Sequence, residues 1–228
     1  MSAPAVLFDV DGTLVDSNYL HVHAWQRAFG EEGFDVESWR IHHRIGMDGS
    51  ALVDELIPDA SDDSADRVKD LNSRFYLELS GLLRPLPGAL ELIDGVAALG
   101  LQAVLATSAP EDELAVLRRV LRRDDIVSAI TSSEDVDTAK PEPGIVEVAL
   151  RRAGVSPEHA VFVGDAVWDV RAANRAGVAC IGVESGGIDR RLLVEEGAVA
   201  VFANPRDLLD HLSDSPVAGL TSQDLCTR

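Results

Sequence analysis

The sequence predicts an α/β fold, a parallel sheet with helices on both of its faces. The prediction rests on short apolar runs, helical patterns between them, and glycines placed just after several helical segments. Residues 5–8 form a continuously apolar run that ends at Asp9, the pattern of a strand buried on both faces. Residues 17–83 then break the alternation, with helical patterns at 19–29, 50–56 and 65–79 and no convincing strand. In the last of these Val68, Leu71, Phe75 and Leu79 recur at helical spacing. The stiff link Pro85-Leu86-Pro87-Gly88 restores the alternation. Helical patterns at 88–99, 110–123, 143–153, 167–176 and 189–195 then alternate with strand runs at 101–106, 129–131, 160–163, 178–183 and 199–202. Gly100, Gly154 and Gly177 follow three of those helices, where a left-handed residue ends a helix. The expected organisation is a core at 1–16 and 84–212, a helical cap at 17–83, and a polar, flexible tail at 213–228.

Composition narrows the function classes. With 20 Lys+Arg against 39 Asp+Glu the formal net charge is −19, the opposite of the clustered cations that grip nucleic acid. The densest basic group, Arg118, Arg119, Arg122 and Arg123, ends a segment that begins Pro110-Glu111-Asp112-Glu113. Acids first and bases last complement a helix dipole. No apolar run approaches the ~18–20 residues of a membrane span, and Met1-Ser2-Ala3-Pro4 offers no cationic leader. Cys180 and Cys226 are too few for a disulfide framework or a cysteine-held metal. The expectation is a cytoplasmic protein with a small-molecule partner and no nucleic-acid or membrane partner.

In open parallel sheets the ligand site lies beyond the carboxyl ends of the strands. Asp9-Val10-Asp11-Gly12-Thr13 follows the first run, and Thr107 and Ser108 follow the second. Lys140-Pro141-Glu142-Pro143 lies in the loop after the third, and Gly164-Asp165 with Asp169 follows the fourth. Each has a plain structural reading: Asp-Gly favours turns, Thr107 and Ser108 can cap a helix, and a lysine is usually solvated. Yet Lys69 and Lys140 are the only lysines beside 18 arginines, so a lysine before Pro-x-Pro is not background. Together these strand ends bring four carboxylates, two hydroxyls and an ammonium to one edge. Crowded carboxylates need a cation to stay ionised, and oxygen ligands without His or Cys favour a hard ion, Mg²⁺ over Ca²⁺. A cation, a lysine and hydroxyls around a carboxylate suit a transferring phosphoryl group, which the carboxylate can itself accept.

These motifs resemble those of the haloacid dehalogenase superfamily of phosphohydrolases. The stretch Asp9-Val10-Asp11-Gly12-Thr13-Leu14-Val15-Asp16-Ser17 is similar to its first motif, Thr107 to the second, Lys140 to the third, and Gly164-Asp165 with Asp169 to the fourth. The resemblance implies a Rossmann-like core with an all-helical cap inserted after the first strand. It implies Asp9 as nucleophile, Asp11 as general acid and then base, Thr107 as holder of the phosphoryl oxygens, and Lys140 as stabiliser of Asp9 and the phosphoryl group. It implies Mg²⁺ held by Asp9, the Asp11 carbonyl and Asp165, with Asp169 close by. The implied activity is hydrolysis of a small phosphomonoester, phosphoglycolate-like or sugar-phosphate-like, through an aspartyl-phosphate.

Departures within the family bear on the reaction. Dehalogenase members lack the second carboxylate and phosphonate-cleaving members have a small residue there, so Asp11 argues against both. Sugar phosphomutases hold a second phosphate with a cation soon after a cap glycine. Gly46 is followed by Met47, Asp48, Gly49 and Ser50, but Arg44 precedes it, so a mutase is the alternative. A receiver-like signalling domain is the alternative from another class; such domains are shorter and have no helical insert. Ser108, His21 and Arg44 are the candidates for substrate contact. Lys69, beside Asp66 and Asp70, reads as solvated, and Trp25, Phe29 and Cys180 read as core.

Overall fold

All six apolar runs become strands of one parallel sheet in the computed structural model, which describes residues 2–135 and 140–223. In chain order the elements are β1 (Ala5–Phe8), α1 (Asn18–Glu31), α2 (Ser38–His42), α3 (Gly49–Leu56), α4 (Asp62–Glu78), α5 (Ala89–Ala98), β2 (Gln102–Ala106), α6 (Glu111–Leu121), β3 (Val127–Thr131), α7 (Gly144–Ala153), β4 (Ala160–Gly164), α8 (Val167–Arg175), β5 (Ala179–Val183), α9 (Arg190–Glu195), β6 (Ala200–Phe202), α10 (Pro205–Asp210) and α11 (Pro216–Gln223). The strand order is β3-β2-β1-β4-β5-β6, and Ala5 of β1 pairs with both Gln102 and Ala160. β1 therefore lies inside the sheet, which is why its sequence carries no polar residue.

The two faces of the sheet divide the core. Side chains alternate along a strand, so Val6 and Phe8 join one buried cluster while Ala5 and Leu7 join the other. β4 divides in the same way, with Val161 and Val163 on one side and Ala160 and Phe162 on the other. Helices α7, α8 and α9 cover the second face, where Ile145, Val170 and Leu193 are buried. Each fully buried Leu or Phe contributes roughly 1.5–3 kcal/mol over an exposed one. β3 lies at the sheet's edge, and its partly exposed Val127 and exposed Ser128 extend the strand beyond the expected apolar run.

Between β1 and α5 the described chain forms only helices and turns. Residues 10–16 fold back on themselves, with Leu14 and Val15 N–H groups donating to the Val10 carbonyl at 2.8 and 2.9 Å. The Asp16 N–H then donates to the Arg84 carbonyl and the Leu86 N–H to the Leu14 carbonyl, both at 2.9 Å. The outgoing and returning segments are thus clipped together at the sheet. Above them α1 and α4 pack through Trp25, Phe29, Phe75 and Tyr76, all buried as core residues should be. The Arg27 guanidinium covers the Phe75 ring at 3.8 Å. Cys180 is also buried, and Cys226 lies outside the described residues.

Short elements depart from the expectation. α2 has five residues and buries only Ile41, too little to leave a periodic pattern. α10 starts where the Asn204 side chain accepts from the Asp207 N–H at 3.1 Å and Pro205 takes the first helical position. The tail expected to be flexible instead forms α11, with Val217 0% and Leu220 4% exposed in the core. Its polar lead-in, Ser213-Asp214-Ser215, hid a two-residue apolar anchor; residues 224–228 lie outside the described residues. Among the described residues no helix is long and apolar enough to cross a membrane.

Replacing a buried leucine by alanine costs about 2–5 kcal/mol. Leu220→Ala should accordingly lower the urea midpoint of the whole protein with an unchanged m-value. A midpoint equal to that of the parent would show that α11 does not belong to the cooperative core.

Candidate active site

The sheet order reverses direction between β1 and β4, so the chains leaving these neighbouring strands diverge and open a crevice. Asp9 extends the β1 ladder by one bond, its N–H donating to the Val163 carbonyl at 2.9 Å. Asp165 follows β4 directly, and Asp169 lies in the first turn of α8, where its Oδ2 accepts from the Ala166 N–H at 3.1 Å. Lys140 precedes α7 and reaches into the same crevice.

There the Lys140 ammonium, 2% exposed, lies 2.6 Å from Asp9 Oδ1 and 2.7 Å from Asp169 Oδ1. The first contact is a directed hydrogen bond, whereas the second is an ion-pair contact at an angle unsuited to one. Carboxylate oxygens of Asp9, Asp165 and Asp169 lie within 4.8 Å of one another. Asp165 accepts from Thr13 Oγ1 at 3.0 Å and from Asn18 Nδ2 at 2.8 Å. Burial opposes the Lys140 charge, but Asp169 and Asp9 outweigh it and hold the ammonium protonated. One ammonium cannot balance three buried carboxylates. Burial, with Asp169 beside it, pushes Asp165 up to about 7, and burial likewise raises Asp9 despite Lys140. Oxygen-only donors with unbalanced negative charge fit a hard divalent cation.

The backbone around Asp165 leaves no spare room. A Cβ on Gly186 would lie 1.6 Å from Asp165 Oδ2, and one on Gly12, at φ +72°, would lie 2.4 Å from Asn18 Nδ2. Glycine is required at both places by close approach, and at Gly12 by the left-handed backbone as well.

Asp11 points to a different set of partners. Its Oδ1 accepts from Ser17 Oγ at 2.6 Å and from Tyr76 Oη at 3.3 Å, and lies 3.3 Å from His21 Nε2. His21 stacks on Tyr76 with ring centroids 3.8 Å apart. Burial alone would raise Asp11 and lower His21. Their mutual contact reverses both, so the Asp11 carboxyl falls below its usual range and His21 rises above its own.

A cavity of about 270 Å³ joins these groups, lined by Asp9, Asp11, His21, Thr107, Ser108, Lys140 and Asp165 among others. Thr107 Oγ1 accepts from the Ala109 N–H at 3.1 Å, while the Ser108 hydroxyl is buried without a partner. Helices α1, α3 and α4 supply the far wall with Trp25, Leu52, Lys69, Asn72 and Ser73. Arg44, the other candidate for substrate contact, is not in the lining and pairs with Glu55 at the surface. Lys69 pairs with Asp66 at 2.9 Å as its sequence suggested, yet it also lines the cavity.

Sequence reasoning did not single out Thr13, Ser17, Asn18, Tyr76, Gly186 or Glu113 as parts of the site. The strand-end rule applied to β5 would have reached Ser185-Gly186-Gly187. Tyr76 lies on a helix whose apolar spacing makes it look like core, and Glu113 reads as one of the first-turn acids that complement a helix dipole. Glu113 in α6 is 4% exposed, lines the cavity, and is pushed by burial up to about 7.

The sequence model of the family described as haloacid dehalogenase-like hydrolase matches residues 6–183. The chain is 29% identical over 227 residues to a phosphoglycolate phosphatase of Pseudomonas putida, covering 96% of this chain and 83% of that one. It is 31% identical over 217 residues to the phosphorylated carbohydrates phosphatase of Thermotoga maritima, covering 92% and 98%. The solved structure of a hydrolase from Pseudomonas syringae superposes with a TM-score of 0.89 at 34% identity, covering 92% of this chain and 98% of that one.

Folded Glu113 keeps its proton to about pH 7, whereas the unfolded chain releases it near 4.5. Between those values the folded state binds more protons, so the contribution of Glu113 to stability falls as pH rises through that window. Glu113→Gln has no proton to lose. Its stability relative to the parent should rise by up to about 3 kcal/mol between pH 4.5 and pH 8, read from urea melts. Parallel pH profiles for the two proteins would show that Glu113 is solvated.

Proposed function

Because the chain belongs to the haloacid dehalogenase-like hydrolase family, we propose that it is a Mg²⁺-dependent phosphatase of small phosphomonoesters that works through an aspartyl-phosphate. The observation that carries this reading is the contact of Lys140 with Asp9 and Asp169 beside Asp165, with Asp9, Lys140 and Asp165 lining a cavity. Asp9, the Asp11 carbonyl and Asp165, with Asp169 close by, would hold Mg²⁺. Bound there, the ion supplies positive charge to the phosphoryl oxygens.

In the first step an Asp9 carboxylate oxygen bonds to phosphorus as the ester P–O bond breaks. Lys140 fixes the attacking carboxylate and faces the phosphoryl charge. Thr107 and the unpartnered Ser108 hydroxyl hold phosphoryl oxygens. The departing alkoxide needs a proton; Asp11, ionised at rest, takes one from protonated His21 at 3.3 Å and passes it to the leaving oxygen. In the second step Asp11 takes a proton from water, the water oxygen bonds to phosphorus, and the Asp9–phosphorus bond breaks to release phosphate. The helices of 17–83 act as the cap that closes the cavity over the substrate.

Hydrolysis is favoured over phosphate relocation by the cavity wall. Among the described residues no arginine lines it, Arg44 is tied to Glu55, and the lysine of the helical wall, Lys69, is paired with Asp66. The substrate is a small phosphorylated metabolite, of the phosphoglycolate or phosphorylated-carbohydrate kind that the relatives' names give.

Asp9→Asn keeps the size of the side chain but removes the nucleophile. Phosphate release from p-nitrophenyl phosphate should fall below detection in this variant, and in the parent after Mg²⁺ is chelated. Turnover near the parental rate in either case rules out the proposed chemistry.

Asp11→Asn should separate substrates by leaving group. General acid catalysis is worth about 10²–10⁴-fold, so an alkyl phosphate should slow by that order. An aryl phosphate, whose leaving group needs little help, should slow much less and show a burst before slow turnover. Equal slowing without a burst would reduce Asp11 to a loop organiser.

A further inference from the structure

We propose that Glu113 selects among phosphomonoesters: it admits those whose distal part carries hydroxyl groups and rejects those whose distal part carries a carboxylate. This rests on the phosphatase reading above and narrows it to the phosphorylated-carbohydrate kind, since phosphoglycolate carries a distal carboxylate.

A substrate held by its phosphoryl group at Asp9 and Lys140 presents its other end to the remaining lining. A distal carboxylate needs a cation there. Among the described lining residues the cationic groups are Lys140, Lys69 and, when protonated, His21, and each already faces an acid. Lys140 contacts Asp9 and Asp169, and His21 contacts Asp11. Lys69 lies 2.9 Å from Asp66 and donates to Ser50 Oγ at 3.3 Å. No lining cation is left over for a substrate carboxylate. Against it stands Glu113, a buried acid in the wall itself, with Asp48 also in the lining.

The local sequence explains why the Glu113 carboxyl faces the cavity. Glu113 is the third residue of α6, where a glutamate ordinarily turns back to the N-cap N–H in a capping box. The N-cap here is Pro110, which has no N–H to offer. The carboxyl is left with the Ser73 hydroxyl and the neighbourhood of His21 and Asp11. Burial raises its proton affinity, so keeping it ionised opposes folding, and the nearby His21, already paired with Asp11, offsets only part of that.

A second observation points the same way. Asn72 is 8% exposed and lines the cavity, and its Oδ1 is buried without a hydrogen-bond partner. Glu113 faces that space, and the Asn72 oxygen comes within its reach when the amide turns. A hydroxyl donates to Glu113, and to Asn72 once its amide has turned, whereas a carboxylate has no hydrogen to donate. A site that bonds a hydroxyl discriminates strongly, because the wrong ligand leaves buried polar groups unpaired.

The test uses the full chain with Mg²⁺ at pH 8 and two matched esters, sn-glycerol 3-phosphate and 3-phosphoglycerate. They share a three-carbon skeleton and differ by a hydroxymethyl group against a carboxylate. Each competes with p-nitrophenyl phosphate, and the ratio of their inhibition constants is read. The parent should bind glycerol 3-phosphate at least tenfold more tightly, Glu113→Gln should erase most of that preference, and Glu113→Asp should retain part of it. Because both constants come from one preparation, a partly folded variant does not distort the ratio. Equal inhibition by the two esters, inhibition by neither, a preference for 3-phosphoglycerate, or a ratio unmoved in Glu113→Gln overturns the assignment to Glu113. Absence of Mg²⁺-dependent release from p-nitrophenyl phosphate in the parent instead brings down the phosphatase reading, and the selectivity with it.

Discussion

The buried contact between the Lys140 ammonium and the carboxylates of Asp9 and Asp169 is the constraint around which the site is arranged. Moving charges out of water costs several kcal/mol per ion, and close pairing offsets that only when every partner is held in place. Here the partners come from three separate parts of the chain: the end of β1, the loop before α7 and the first turn of α8. Asp165 adds another carboxylate with no ammonium of its own, held by the neutral donors of Thr13 and Asn18. A fold that buries this much negative charge beside one lysine is prepared to receive positive charge from outside.

The sheet supplies the rigidity that such a cluster demands. β1 and β4 are adjacent, in register and buried on both faces, so Asp9 and Asp165 begin from fixed positions. Close-packed interiors transmit small displacements, and the surroundings of Asp165 leave no slack at Gly186 or Gly12. The helices between β1 and α5 are tied to the same point. Asn18 in α1 donates both to Asp165 and to the Gly186 carbonyl, and His42 Nε2 lies 2.8 Å from that carbonyl. The helical wall of the cavity is therefore connected to the carboxylate cluster at the strand ends.

Two carboxyl groups, Asp11 and Glu113, lie near one another and are driven in opposite directions. Asp11 is surrounded by Ser17, Tyr76 and His21, and their hydrogen bonds outweigh its burial. Glu113 is buried with one hydroxyl and no cation in contact, and it rises to about 7. Partners as well as depth make the difference: the Asp11 side chain keeps 18% of its exposure and is hydrogen-bonded by three groups, whereas Glu113 is 4% exposed. It gives one cavity two carboxyl groups with opposed proton affinities.

The α/β class, the six strands and the helical stretch before α5 were legible in the sequence because burial on both faces forces apolar runs and exposed helices force periodicity. The convergence of Asp9, Thr107, Lys140 and Asp165 was legible for a related reason: parallel strands deliver whatever follows them to one edge. Short elements such as α2 and α11 were not, since one or two buried side chains leave no pattern to detect. The placement of Arg44, Tyr76, Asn72 and Glu113 was decided by tertiary structure alone. Glu55 holds Arg44 away from the cavity, and packing turns Tyr76 to Asp11 and exposes Asn72 and Glu113 to the cavity. Which way a helix faces depends on what packs against it from distant parts of the chain, and that information is absent from local spacing.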